Sequence, residues 1–444
     1  MRSICLTLPT NRHCPDTIAA LGAEALHAVD HFGIDVQLLV LDSCPPPVTA
    51  EHAEAVRRLP AHPRITAHHL DEAAQRDFLR RVTARSGDAK PDLLLDLLLP
   101  DGVSYGACTD RAFLIAAALG CDSVHRRDSD SRYQSLHGRT VFPVHHELLS
   151  LGGRAADAVP HVTESTLPDP LLDRPVAMVG GSFVGELSVD IARMRDADPE
   201  VYHDVVALWA PGHWSAERKR ELVEESFRGA GTEPFTGDHS LLALVDPMRV
   251  DMCNIAFHAG TVTERVPLPP ARDTIGSDYF LIHLVHDARL PGVLHNRHIV
   301  NYHTGERRTG PGFLAYQTRF AKFLLSMLHF HHVYDRMTEA GDALLDEKGR
   351  PRPAAVAALA RESTELDPAE NVRRLDTLDT AYRRLGGRYA EFAGLLAGRR
   401  DRLLDEARGD MADFALLTEA WEGLVAAARA TPVPSSAGQP GRAR

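Results

Sequence analysis

The run Val36-Gln37-Leu38-Leu39-Val40-Leu41, stopped by Asp42-Ser43-Cys44-Pro45-Pro46-Pro47, decides the fold. An apolar run with a single polar member does not alternate, so both faces of the strand it forms must be covered, the pattern of a buried strand in a parallel sheet. The prolines cannot extend the ladder and mark its carboxyl end. Upstream, Ser3 to Leu8 is β-rich and ends at Pro9, and Pro15 opens a helical stretch with apolar residues at Ile18, Leu21, Leu26 and Val29. Downstream, Arg64 to His69 reads as a strand and Glu72 to Thr83 as a helix. Pro91 to Leu99 reads as helical, Asp101 to Gly106 as a loop, and Ala107 to Leu119 as a helix ended by Gly120. Asp122 to Arg127 is the next strand. Strands that alternate with helices in this way predict an α/β fold built on a mainly parallel sheet.

The chain has 444 residues, long enough for one large α/β domain with a smaller second region. With 44% hydrophobic and 25% charged residues it has an ordinary globular composition. A net charge of −12 argues against a nucleic-acid backbone or an anionic membrane surface as the main partner. Lysine occurs only at Lys90, Lys219, Lys322 and Lys348, so arginine carries nearly all the positive charge and a single arginine says little about function. Cys5, Cys14, Cys44, Cys108, Cys121 and Cys253 form no C-x-x-C pair, which fits reduced thiols in a cytoplasmic protein. Ile4 to Leu8 is too short for a signal-peptide core, and no segment has the length of a membrane span.

In the second half, Pro175 to Val179 is a strand candidate followed by Gly180-Gly181-Ser182, and Glu217 to Phe227 is an amphipathic helix. Phe313 to Arg336 is a long helix with an apolar face. Pro353 to Ala430, rich in Ala, Leu, Glu and Arg, is a helical region that leaves room for a homo-oligomer contact. Thr431 to Arg444, rich in Pro, Ser and Gly, reads as a disordered tail. The expected organisation is a catalytic domain over 1–312, divided into a nucleotide-binding half (1–130) and an acceptor half (131–312). The helical region then occupies 313–430 and the tail 431–444.

In an open α/β sheet, ligands collect beyond the carboxyl ends of the strands, which would gather Thr10 to Arg12, Asp42 and Asp128-Ser129-Asp130 at one crevice. In an extended segment Asp128 and Asp130 project to the same side. Two neighbouring carboxylates repel unless a cation lies between them, and Mg²⁺ or Mn²⁺ shared with a diphosphate would relieve that repulsion. Such an ion would also stabilise a phosphate leaving group. A D-x-D triplet occurs by chance in surface loops, so its weight comes from its position after the fourth strand.

The run from Tyr105-Gly106-Ala107-Cys108-Thr109-Asp110-Arg111-Ala112 through Leu119-Gly120-Cys121-Asp122 to Asp128-Ser129-Asp130 resembles GT-A-fold glycosyltransferases, over roughly residues 1–310 and through motif order more than any long signature. The resemblance implies a GT-A-type mixed, mainly parallel sheet flanked by helices, with a C-terminal helical extension. It also implies Mn²⁺ or Mg²⁺ as cofactor and a UDP-sugar as donor. Thr10, Asn11 and Arg12 would help hold the nucleotide, Asp42 would meet the base or ribose, and Arg111 would contact the diphosphate, which Ser129 helps to anchor. Each also has a plainer role, as a loop polar, a strand end or a surface salt bridge.

By the same resemblance, Gly276-Ser277-Asp278-Tyr279 stands where the family has an acidic pair opening a helix. Asp278 is then the general base, with a helix N-cap as its other reading, and Ser277 departs from the pattern. The segment His295 to His303 resembles the late strand whose terminal histidine completes the metal shell. His303 is the expected ligand and His298 the alternative, with Arg307 in a Gly-flanked basic loop that could close over the diphosphate. His283 and His286 read as helix residues outside the metal shell, and His329, His331 and His332 as packing residues. Trp209 and Trp214 could stack on an acceptor ring.

The function implied is inverting transfer of a sugar, with glucose the default, to a hydroxyl of a small-molecule acceptor. The chain is also broadly similar to glycosyltransferases of aminocyclitol antibiotic pathways, which would make the acceptor an aminocyclitol. A nucleotidyltransferase, a two-carboxylate glycoside hydrolase and a non-catalytic sugar-binding protein are the competing classes. A zinc hydrolase has less support, because no H-E-x-x-H occurs.

Overall fold

The computed structural model describes residues 2–187, 191–301 and 310–434. Its strands are β1 (Ser3–Thr10), β2 (Asp35–Asp42), β3 (Ile65–Leu70), β4 (Ser123–Arg127), β5 (Ser131–Tyr133), β6 (Ser135–Leu136), β7 (Arg139–Thr140), β8 (Glu164–Ser165), β9 (Met178–Gly180), β10 (Phe183–Gly185), β11 (Ser240–Ala243), β12 (Asn254–His258), β13 (Gly292–His295) and β14 (Ile299–Asn301). Among the described residues, nine of them form one sheet in the order β3-β2-β1-β4-β12-β9-β13-β11-β8. The first four are parallel neighbours, β12 runs antiparallel to both β4 and β9, and β9 pairs in parallel with β13. This is the mixed, mainly parallel α/β sheet flanked by helices that the sequence implied.

Local chemistry explains the crossovers. The helix Pro15–Phe32 begins with proline at its first position, where the missing N–H costs nothing. It ends at Gly33, left-handed at φ 60°, whose N–H bonds to the carbonyl of Val29. The helix Tyr105–Ala118 is capped by Ser104, whose side chain accepts from the Ala107 N–H, and it is buried along most of its length against the sheet. Every residue of β2 from Leu38 to Asp42 is buried, as its unbroken apolar run requires.

The C-terminal helices are Gly310–Ala340, Pro353–Ser363, Ala369–Leu385, Gly387–Ala397 and Arg400–Arg429. One continuous apolar core joins them to the sheet, running from Cys5 and Leu39 through Phe257 and Phe280 to Phe414 and Trp421. Trp421, fully buried, donates its indole N–H to the carbonyl of Thr263 at 2.8 Å. No helix of the described residues is long and apolar enough to cross a membrane.

Candidate functional site

The ends of β1, β2 and β4 meet at one sheet edge because their register is parallel, with Thr10 beside Asp42 and Thr7 beside Arg126. Beyond β4 the neighbour is antiparallel β12, so the sheet changes direction where the D-x-D triplet leaves it. Asp128 to Asp130 is a tight turn, closed by the Ser131 N–H donating to the carbonyl of Asp128 at 3.2 Å. An extended segment was expected here, and the turn replaces the two-residue strand repeat. Asp128 and Asp130 nonetheless both line the same cavity, together with Asp278, Asp251, Arg126, Tyr105 and Asn301.

Two arginines hold the acids. Arg126, buried at the end of β4, donates from Nη1 to Asp278 Oδ2 at 2.6 Å and lies 3.1 Å from Asp128 Oδ1 through Nη2. Arg12, from the loop after β1, reaches Asp130 Oδ2 at 2.5 Å. Burial pushes the Asp128 carboxyl up; Arg126 pulls it back, and the charges of Asp130 and Asp278 raise it again. Asp128 and Asp130 offer carboxylate oxygens of the kind a hard divalent cation favours, and such an ion would relieve the like-charge crowding that two arginines only partly offset.

Behind the turn, a second buried network fixes β4. Arg127 donates to Glu24 Oε1 at 2.8 Å and to Glu147 Oε2 at 2.9 Å. Glu24 also accepts from Tyr133 Oη and from the Val144 N–H, and Glu147 from His125. Glu24, Glu147 and Tyr133 come from two helices and from β5, so they fix the backbone immediately before Asp128.

Asp278 sits in the 3-10 turn Ser277–Tyr279 leading into the helix Phe280–Asp287, and no side chain caps either element. Its carboxylate is turned to Arg126, so the N-cap reading does not hold. Ser277 is fully buried, and its hydroxyl makes no hydrogen bond among the described residues. Beside it, Tyr279 donates to Asp251 Oδ2 at 2.5 Å, and the Cys253 N–H donates to Asp251 Oδ1 at 3.0 Å. Burial pushes the Asp251 carboxyl up, against those hydrogen bonds. Arg126, Asp251 and Tyr279 were not singled out from the sequence.

Other expected residues fall elsewhere. Asn11 is exposed, and Thr10 accepts from the Arg12 N–H, shaping the loop that delivers Arg12. Ser129 offers its carbonyl to Thr17. Asp42 is fully buried, engaged by His52 and His69 at 2.9 Å each and by the Cys44 N–H, which leaves the carboxylate no face toward a ribose. Asp42, Cys44 and His52 also place three potential metal-ligand atoms within 4.8 Å of one another. Both ring nitrogens of His52 are already used, by Asp42 and by the Cys14 N–H.

Arg111 is not brought to the cavity: it is buried and donates to the carbonyl of Leu98 at 2.8 Å. His298 accepts from the Ser182 N–H at 3.0 Å, and burial lowers its pKa to about 4. His303 and Arg307 lie outside the described residues. Gly181 serves packing, since a Cβ there would lie 2.7 Å from Asn254 Nδ2 and 2.8 Å from His295 Cε1. Trp209 lines the cavity, whereas Trp214 lies under the Arg218 guanidinium at 3.6 Å.

Away from the acids the cavity is walled by rings. Trp209 stacks on Phe227 at 5.2 Å and tilts against Phe323 at 5.7 Å. Phe227 holds φ 62°, an unfavourable backbone for a bulky side chain, at a cost of about 1–3 kcal/mol. Gly276, at φ 76°, lets the Phe323 ring approach to where a Cβ would be 2.6 Å away.

No curated protein matches the chain. Among solved structures it is similar to a mycobacterial protein at 16% identity and a TM-score of 0.33, over 75% of this chain and 74% of that one. It is also similar to the mannosyltransferase PcManGT from Pyrobaculum calidifontis, solved in complex with GDP-Man and Mn²⁺. There the identity is 11% and the TM-score 0.35, over 94% of this chain and 86% of that one. Neither similarity is high enough to argue function, which rests on the site itself. A family model does match, over residues 2–437, and the chain belongs to that family, DUF6271, described as a family of unknown function.

Proposed function

We propose that the protein is a metal-dependent glycosyltransferase that moves a sugar from a nucleotide-diphosphate donor to a hydroxyl of a small-molecule acceptor. The observation that carries this reading is the convergence of Asp128, Asp130 and Asp278 on one cavity at the carboxyl edge of the parallel strands. Asp128 and Asp130 would hold Mn²⁺ or Mg²⁺, which supplies charge stabilisation for the departing diphosphate. Arg12 and Arg126 partly offset the charge of the acids, and Arg126, which lines the cavity, would be able to turn toward phosphate oxygens. His303 and Arg307 belong to the proposal through the chain: Asn301, two residues before His303, pairs with Ser131 directly after the triplet.

In the transfer, the acceptor oxygen bonds to the anomeric carbon, the carbon–oxygen bond to the diphosphate breaks, and the hydroxyl proton passes to a carboxylate. Asp278 is the proposed base, with inversion as the outcome. Asp251 is a second candidate, because it lines the same cavity and its pairing is to Tyr279 and a backbone N–H rather than to an arginine. UDP and glucose remain the proposed nucleotide and sugar, in a cytoplasmic setting. Incubation with Mn²⁺, a panel of nucleotide sugars and mixed hydroxylated acceptors, read by mass spectrometry, should yield a product heavier by one hexose. Release of free sugar from a glycoside without nucleotide would favour a hydrolase instead.

A further inference from the structure

Given that the acidic end of the cavity is where transfer occurs, we propose that the other end is a chamber for an acceptor with a flat, apolar body carrying a hydroxyl. A hydroxylated aromatic or polycyclic compound fits this chamber better than a hydroxyl-dense cyclitol. The wall is formed by Trp209, Phe227, Tyr316, Phe323, Met327 and Tyr334. The last four lie seven, four and seven residues apart on the helix Gly310–Ala340, so they share one face of it and present it to the cavity.

The backbone is shaped to build this wall, at one strained residue and at two glycines that take the left-handed region freely. Phe227 keeps its ring on Trp209 through a left-handed φ of 62°, and Gly276, left-handed at 76°, clears the space that the Phe323 ring fills. Gly229, at φ 60°, allows the chain to pass where a Cβ would lie 2.5 Å from the Phe183 carbonyl. Strain retained at Phe227, beside the cavity, points to a site more than to filler packing.

The charged lining residues cluster: Arg126 joins Asp128 and Asp278, Asp130 is two residues from Asp128, and Asp251 is held by Tyr279 next to Asp278, while Glu225 is exposed. Within the chamber His283 stacks flat on Tyr334, ring centroids 3.8 Å apart, and burial holds its pKa down at about 3, so it brings no charge. A cyclitol with a hydroxyl on each carbon needs a partner for every one, and hydroxyls buried without partners are costly. The six wall side chains and His283 offer hydrogen-bonding groups only at the Trp209 indole, the two tyrosine hydroxyls and the His283 ring, too few for a hydroxyl on every carbon. A fused aromatic acceptor instead presents faces and edges that rings recognise, with one hydroxyl directed at Asp278.

The test is calorimetric titration of the full-length, metal-free protein, without nucleotide, with 2-naphthol and separately with myo-inositol. The expected result is saturable binding of naphthol and none of inositol. Trp209→Ala and Phe323→Ala should each weaken naphthol about three- to tenfold, while Trp214→Phe leaves it unchanged. Phe323→Leu, which keeps most of the volume, should weaken it in the same direction if the alanine variant fails to fold. Absence of naphthol binding, tighter binding of inositol, or naphthol affinity indifferent to the Trp209 and Phe323 changes would overturn the proposal. Because neither nucleotide nor metal is present, such a failure leaves the donor site standing. A donor site that ignores metal would in turn leave the chamber standing.

Discussion

Arg126 holds Asp278 across the cavity floor, its Nη1 2.6 Å from Asp278 Oδ2, and ties the end of β4 to the turn that opens the helix Phe280–Asp287. A residue that leaves the central sheet thereby fixes the position of the proposed base relative to the D-x-D turn. The contact spans 152 positions of sequence. It also separates the two candidate carboxylates, since Asp251 is paired to Tyr279 instead.

Asp278→Asn should therefore keep donor affinity and lower the transfer rate by about 10²–10⁴, the usual worth of a positioned base. Steady-state kinetics with the same donor checks this against Asp251→Asn, which should cost far less. If the Asp251 variant loses the rate and the Asp278 variant keeps it, the base is Asp251.

Gly276→Ala should destabilise the protein by about 2 kcal/mol or more. It combines a left-handed backbone with a methyl group 2.6 Å from the Phe323 ring. Urea unfolding measures the loss. An unchanged midpoint would mean that the Phe323 ring moves aside at little cost.

Stability should fall in acid through Glu147. Burial alone would raise its pKa, but the Arg127 charge and the His125 hydrogen bond overcome that and hold it at about 2, below the ordinary 4.5. With the folded pKa below the unfolded one, the unfolded chain binds more protons. The contribution is thus complete above pH 4.5 and is lost as pH falls toward 2. Glu147→Gln should flatten this part of the stability profile. It should also cost about 1–3 kcal/mol at neutral pH, because Arg127 and His125 lose a buried carboxylate partner while Glu24 still pairs with Arg127. Denaturation curves across that pH range would show a slope as steep as wild type if Glu147 were not the group responsible.

β1 and β2 were legible as short apolar runs, β2 with a clear stop before Pro45, whereas Pro9 lies inside β1 and β4 is largely polar. Asp128 and Asp130 were legible from element order, lying directly past the strand that follows the helix Ala107 to Leu119. Asp251 was not: it acquires meaning only because β12 pairs antiparallel with β4, a long-range pairing that local periodicity does not encode. Arg126 looked like one arginine among many, and only the burial of every residue of β4 makes it structural. Asp42 and Arg111 were credited with ligand contacts by motif order. Their side chains instead satisfy buried partners, His52 and His69 in one case and the Leu98 carbonyl in the other. The aromatic wall was half legible, since the helical face from Phe313 onward was expected but not that it would front the cavity.

The most direct test of the central claim is calorimetric titration of UDP into wild type and Asp130→Ala, each with Mn²⁺ and with EDTA. Binding to wild type should require Mn²⁺ and be lost in the variant. Equal affinity with and without the metal, or Mn²⁺-dependent binding that survives in Asp130→Ala, would contradict it.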